Sequence, residues 1–247
     1  MPTTQTPQPP TVSQLVRADY RLADVFKKWG INYCCGGNLS LDEACRIQGL
    51  DKAKIDGDIQ AACQTSTSSR VLAFEEWPVD FLVEYIVNIH HTYIKTTGPR
   101  LLQAFEAFAK GHEKKYPYLQ EVYGLFKKLL AAATGQLQYE EEVLFPYIKQ
   151  VNNALKRKES YGALFVRTMH KSMLETTASA QQQTLLLLTS LRDVTNHYQF
   201  PEKACTNHQV IYHKLQEFDN DLVQHKHLEN NILFPKLVQM ESELLQS

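Results

Sequence analysis

The chain has 247 residues, 43% of them hydrophobic and 21% charged, enough for one sizeable core and a small second domain. Its 26 basic and 27 acidic residues give a formal charge of −1 with no long basic run, which disfavours nucleic acid as a partner. Five cysteines, an odd number without framework spacing, argue against a secreted disulfide scaffold.

The first residues, MPTTQTPQPPT, have no basic n-region and no apolar h-region, so no signal peptide is read there. The apolar run LLLLTSL near 185–191 is too short to span a bilayer. A cytoplasmic protein without a membrane partner is expected. Residues 1–10 are Pro/Thr/Gln-rich and read as a disordered tail. Residues 11–63 read as a small helical domain. It opens with two short helices, TVSQLVRAD and YRLADVFKKWG, followed by a turn at YCCGGN. Ser40-Leu41-Asp42-Glu43 is a capping box that opens the next helix, through Ile47, and a fourth helix follows Asp51. Residues 64–77 are read as a linker, most clearly in QTSTSSR.

From residue 78 to 247 the pattern predicts four long helices, at about 79–110, 118–152, 160–191 and 205–244. Strand-like alternation is absent, so the expected fold is all-α, an up-down four-helix bundle behind the small domain. Pro146 and Pro235 are expected to kink or break the second and fourth helices.

The fourth helix carries the most informative stretch, DLVQHKHLENNILFPKLV over 221–238. His225 and Glu229 stand four apart and share a face with core residues. Such a pair is either a buried hydrogen-bonded couple or two metal ligands. The second helix repeats the stretch at an offset of 89: EEEVLFPYIK (140–149) matches ENNILFPKLV (229–238), with Glu140 on Glu229. Two facing helices would aim two carboxylates at one point, which is costly unless cations lie between them. The first helix adds His90-His91 after YIVNI, and the third adds His170 after ALFV. Neighbouring residues on a helix point about 100° apart, so at most one of His90 and His91 is expected to face the core. A lone histidine on such a face is more often a satisfied core residue than a ligand; four helices each offering one inward donor favour metal. His213, about 18 Å from His225 along the axis, and His112, His197, His208 and His227 are read as surface or structural. The Glu-x-x-His pairs of ferritin-like di-iron proteins are absent from the core positions, and imidazole with repeated His-to-Glu spacing suits iron above all.

These segments resemble the di-iron repair-of-iron-centres family. The resemblance rests on NYCCGGN (32–38), IVNIH (86–90), EEEVLFPYIK (140–149), PEKAC (201–205) and HKHLENNILFP (225–235), in order over roughly residues 12–240. It implies a hemerythrin-like bundle with a non-heme di-iron centre that restores iron-sulfur clusters damaged by nitric oxide or peroxide. It also implies His90, His170 and His225 as ligands, Glu140 and Glu229 as bridges, and Cys34 and Cys35 as functional thiols. Iron-sulfur client proteins and nitric oxide or oxygen are the implied partners, with a homodimer as the candidate assembly. The chain departs from the family pattern at Gln136, where a ligand His is expected, and at Ala132 and Met169, where Glu is common. The repeat says the same of Gln136, which falls on His225. The expected centre is therefore lopsided, with one strong iron site and one weak site completed by Gln136.

Adjacent cysteines close only a strained, easily reduced disulfide, so Cys34-Cys35 before Gly36-Gly37 suits redox or transfer work. Cys45 and Cys63 are expected in the core, and Cys205 at the start of the fourth helix is given no metal role. Three functions follow: iron-donating cluster repair, oxygen or nitric oxide binding or sensing without repair, and a bundle that has lost its metal.

Overall fold

The computed structural model describes residues 9–19, 22–33, 38–64 and 72–246; the side chains of Arg17, Ala23, Asp24, Lys27, Gln64, Thr206 and residues 170–175 also lie outside the description. Cys34 and Cys35, the His170 side chain, most of the tail and residues 65–71 of the linker are therefore outside the described residues. Among the described residues there are helices and no strand, only an isolated bridge between Thr11 and Ser40.

The chain divides into two compact units, one of Met1–Trp77 with Lys226–Phe234, the other of Pro78–His225 with Pro235–Ser247. The first unit holds α1 (Val12–Ala18), α2 (Leu22–Lys28), α3 (Leu41–Gln48) and α4 (Lys52–Gln64). Two capping boxes start α1 and α3: Thr11 with Gln14, and Ser40 with Glu43. Each satisfies backbone N–H groups that a helix start leaves bare. Gly49 ends α3 at φ 66°, a left-handed position that glycine adopts without a Cβ penalty. Val12, Val16, Phe26, Ile31 and Ile55 form the interior of this unit. The 226–234 segment is tied in by polar contacts. The Ser13 hydroxyl meets Asn231 Oδ1 at 2.8 Å, Asn231 Nδ2 meets His227 Nδ1 at 2.9 Å, and the His227 ring packs edge-on against Tyr33 at 5.6 Å. His227 is thus a buried structural residue. Cys45 is buried as expected, but Cys63 is exposed, with Sγ 3.7 Å from Asp19 Oδ2. It stands one turn on from the exposed Gln60 along the same face of α4.

The second unit carries the bundle. Its helices are α5 (Val79–Tyr85) and α6 (Thr92–His112), α7 (Leu119–Tyr139) and α8 (Phe145–Arg157), α9 (Gly162–Val194), then α10 (Thr206–Leu228) as far as His225 and α11 (Phe234–Gln246) from Pro235. The pairs α5/α6, α7/α8 and α10/α11 are each one long helix interrupted by a π turn: Ile86–His91, Glu140–Leu144 and Glu229–Leu233. Helix α7 packs against both α6 and α9. Ile94, Phe105, Phe126, Leu129, Leu215 and Phe218 fill the centre, and the Phe126 and Phe218 rings meet edge-to-face at 5.2 Å. Each such side chain stabilises the fold by roughly 1.5–3 kcal/mol when fully buried. At Gly98 an added Cβ would lie 2.4 Å from Leu130 Cδ1, so α6 meets its neighbour closely there.

The prolines act differently from the expected kink or break. In an α turn, a proline at 146 would lack the N–H owed to the Glu142 carbonyl and would clash with it. The helix widens instead: the N–H of Phe145 goes back five residues to the Glu140 carbonyl, and Phe234 does the same to Glu229. The first π turn has no proline. There the Thr92 N–H and hydroxyl both reach the Val87 carbonyl, five residues back.

The α9–α10 connection holds three consecutive non-glycine residues at positive φ, Asn196, His197 and Tyr198. Fully buried Asp219 fixes it, accepting two hydrogen bonds from the Arg192 guanidinium at 2.7 and 2.6 Å and one from the Tyr198 hydroxyl at 2.7 Å.

Candidate metal centre

The π turns decide which side chains reach the interior. A turn wider than 3.6 residues brings sequence neighbours closer in direction, and both His90 and His91 are buried, at 2% and 0% exposure. The expectation that at most one of them faces the core does not hold, because it assumed α-helical spacing through residues that are π-helical.

His91 comes from the first π turn, Glu140 from the start of the second, and His225 from α10. Their donor atoms form a triangle: His91 Nε2 lies 3.2 Å from Glu140 Oε2 and 3.2 Å from His225 Nε2, and His225 Nε2 lies 3.5 Å from Glu140 Oε2. All three residues are buried, and they form the one cluster of three metal-ligating side chains found among the described residues. An ion about 2.1 Å from each of three N or O donors needs those donors roughly 3.0–3.6 Å apart, for donor–ion–donor angles of about 90–120°. The observed triangle fits that requirement.

The histidines are held for this role from behind. His91 Nδ1 meets Glu141 Oε1 at 2.7 Å, and His90 Nδ1 meets Asp221 Oδ1 at 2.9 Å. An ionised carboxylate only accepts, so each Nδ1 carries the proton and each Nε2 keeps a lone pair. Carboxylates placed behind metal-binding histidines set tautomer and ring orientation in this way. Burial pushes the Glu141 carboxyl up, but Lys95 and His91 outweigh it and hold it below the usual carboxylate range. His90 Nε2 is buried without a hydrogen-bond partner, and its ring stacks on His225 at 5.9 Å.

Of the residues expected at the centre, the structure brings Glu140 and His225 together and adds His91. His90 is buried beside His225 but outside the triangle. Gln136 is buried, and its amide nitrogen donates to Glu140 Oε1 at 2.6 Å. An acceptor-only carboxylate draws the N–H side of the amide. Glu229 belongs to the other unit, where it is fully buried with Lys226 Nζ at 2.9 Å. Asp221 and Glu141 were not anticipated. Asp221 stands four residues before His225, one turn back on the same face, and that spacing was a readable signal.

The Cys205 Sγ lies 3.5 Å from His112 Nε2, at the far end of α6 from His91, and takes no part in the triangle. No helix among the described residues is long and apolar enough to cross a membrane.

Fold and site together define a helical bundle with a buried His–Glu–His cation site. The sequence profile described as the hemerythrin HHE cation binding domain matches residues 83–237, and the chain belongs to that family. Residues 9–63 match a family described as a domain of unknown function, DUF542. Over 214 residues the chain is 26% identical to the iron-sulfur cluster repair protein ScdA of Staphylococcus haemolyticus, covering 87% of this chain and 91% of that one. It is 27% identical over 224 residues to the iron-sulfur cluster repair protein YtfE of Yersinia pestis, covering 90% and 93%. A probable iron-sulfur cluster repair protein of Haemophilus influenzae is 25% identical over 214 residues, with 87% and 90% covered. Family and donor set together give non-heme iron as this protein's metal, and the buried His–Glu–His group could hold it.

Proposed function

We propose that this chain repairs damaged iron-sulfur clusters in client proteins, with iron held by His91, Glu140 and His225 as the cargo it supplies. The observation that carries the reading is the three-donor triangle itself. Among the described residues it joins two imidazoles to one carboxylate, a mix of neutral nitrogen and anionic oxygen donors that suits iron. The same donor types hold iron in the two-His-one-carboxylate sites of non-heme iron proteins. The chain's own residues do the rest. Glu141 and Asp221 keep His91 and His90 in the tautomer that offers Nε2 inward. Full burial of Glu140 and His225 keeps bulk water from competing at the donors. The names of the relatives, over nearly their whole length, support cluster repair as the task. In this reading Cys34 and Cys35 assist the transfer from the first unit, and the setting is the cytoplasm, where cluster proteins are reduced and exposed to nitric oxide.

The test is a transfer assay. Iron-loaded protein is mixed with a cluster enzyme inactivated by nitric oxide, beside His91→Ala and a Cys34→Ser/Cys35→Ser double variant. Unaltered protein restores activity, His91→Ala does not, and the cysteine variant keeps its iron and its thermal stability while restoring much less. Equal restoration by His91→Ala would sink the donor reading; full restoration by the cysteine variant would remove the thiols from it.

A further inference from the structure

The internal repeat is unequal at the site. Its second copy carries Asp221, His225 and Glu229 at four-residue spacing, and its first carries Ala132, Gln136 and Glu140 at the matching places. Gln136 thus stands where the repeat has an imidazole. Its amide nitrogen donates to Glu140 Oε1 at 2.6 Å, and its oxygen lies 3.4 Å from the Thr184 hydroxyl, which also reaches the Ala180 carbonyl at 3.0 Å. The orientation is set by Glu140. Reversing the amide would place oxygen against oxygen at the 2.6 Å separation, which an ionised carboxylate does not tolerate. The carbonyl of Gln136 is therefore turned away from Glu140.

This has a consequence for Glu140. A carboxylate bridges two ions by giving one oxygen to each. Here Oε1 accepts from the Gln136 amide, and Oε2 faces His91 and His225. The position that would supply a second imidazole supplies an N–H instead, which repels a cation. Glu229, the other glutamate of the repeat, has an ammonium of its own helix at 2.9 Å in Lys226.

We propose that Gln136 is a positioning residue that acts through Glu140 and limits this centre to one tightly held ion. The proposal rests on the iron-centre reading above and concerns stoichiometry, which that reading leaves open. Gln136→Glu is nearly isosteric, removes the amide donor and adds an anionic ligand. Gln136→His restores the imidazole of the repeat.

Apo-protein is titrated with ferrous ions alone under anaerobic conditions, beside both variants. Each loaded sample is then oxidised in air and examined by electron paramagnetic resonance. The unaltered protein takes one equivalent tightly and a second at least about 100-fold more weakly, the upper end of what groups behind a metal site control. Its oxidised form gives the signal of an isolated high-spin ferric ion. Both variants take two equivalents of similar affinity, and their oxidised forms lose that signal as the two ferric spins couple. Apo Gln136→Glu, with two carboxylates facing each other, melts below the unaltered protein and is restored by iron; this shows that the variant folds. Two equally tight ions in the unaltered protein, or a single ion in both variants, would overturn the proposal and leave the iron centre standing. No iron in any of the three would overturn the iron reading itself.

Discussion

His208 shows what a buried imidazole does in this chain when it is not aimed at a metal. It is fully buried on the first turn of α10, packed against Phe108 at 5.2 Å, Tyr116 at 5.0 Å and Tyr212 at 4.7 Å, and neither ring nitrogen has a hydrogen-bond partner. Burial pulls its pKa below the usual value, helped by His112 and Lys115. The folded state therefore resists a proton that the unfolded chain accepts below about pH 6.5. The stability from keeping His208 neutral is present above that pH and is lost as pH falls through the lowered folded value. Replacement by phenylalanine should flatten this loss: His208→Phe and the unaltered protein melt alike at pH 7.5, and the variant melts higher at pH 5. Equal decline of both would assign the acid sensitivity elsewhere. His91 is the contrasting case. Its Nε2 enters the triangle because its Nδ1–H donates to Glu141. The sequence offered His90 and His91 as alternatives, and α-helical geometry forced a choice that the π turn does not impose. Glu140 and His225 were legible because the 89-residue repeat marks their positions.

Among the described residues three π turns interrupt the helices, and two of them occupy the same place in the repeat, Glu140–Leu144 and Glu229–Leu233. In both, a glutamate opens the wide turn and Phe-Pro follows it, so the proline's missing N–H and the glutamate's placement are two results of one backbone feature. Pro146 and Pro235 announced an irregularity in the sequence. Its kind was hidden, because a kink, a break and a π turn all relieve the same clash. The capping boxes were plain to read, since Ser40 and Glu43 need only each other. A π turn amounts to one extra residue in an α-helix. Deleting Glu142, an exposed position, together with Pro146→Ala should give a continuous α-helix with α7 and α8 still in register. Helicity and melting temperature are expected to hold or rise, while iron affinity falls at least about 10-fold as Glu140 turns out of the triangle. Unchanged iron affinity in a well-folded deletion variant would show that the wide turn is not what aims Glu140.

At the scale of the whole molecule, two compact units are built from one chain whose 226–234 segment belongs with the N-terminal unit. The bundle followed from helical periodicity over about 170 residues, because amphipathic helices of that length have few ways to bury their apolar faces. The discontinuous make-up of the first unit was not readable. It depends on Ser13, Tyr33, His227 and Asn231, four residues whose types announce nothing until the contacts among them are seen. The central claim is that the iron of this protein sits in the second unit on His91, Glu140 and His225. Iron counted per chain after gel filtration, with ferrous affinity measured for the unaltered protein, His90→Ala and His91→Ala, tests it most directly. The account predicts retained iron in the unaltered protein, a loss of at least about 100-fold in affinity for His91→Ala, and a smaller loss for His90→Ala, whose Nε2 stands outside the triangle. Iron bound by His91→Ala as tightly as by the unaltered protein would contradict it.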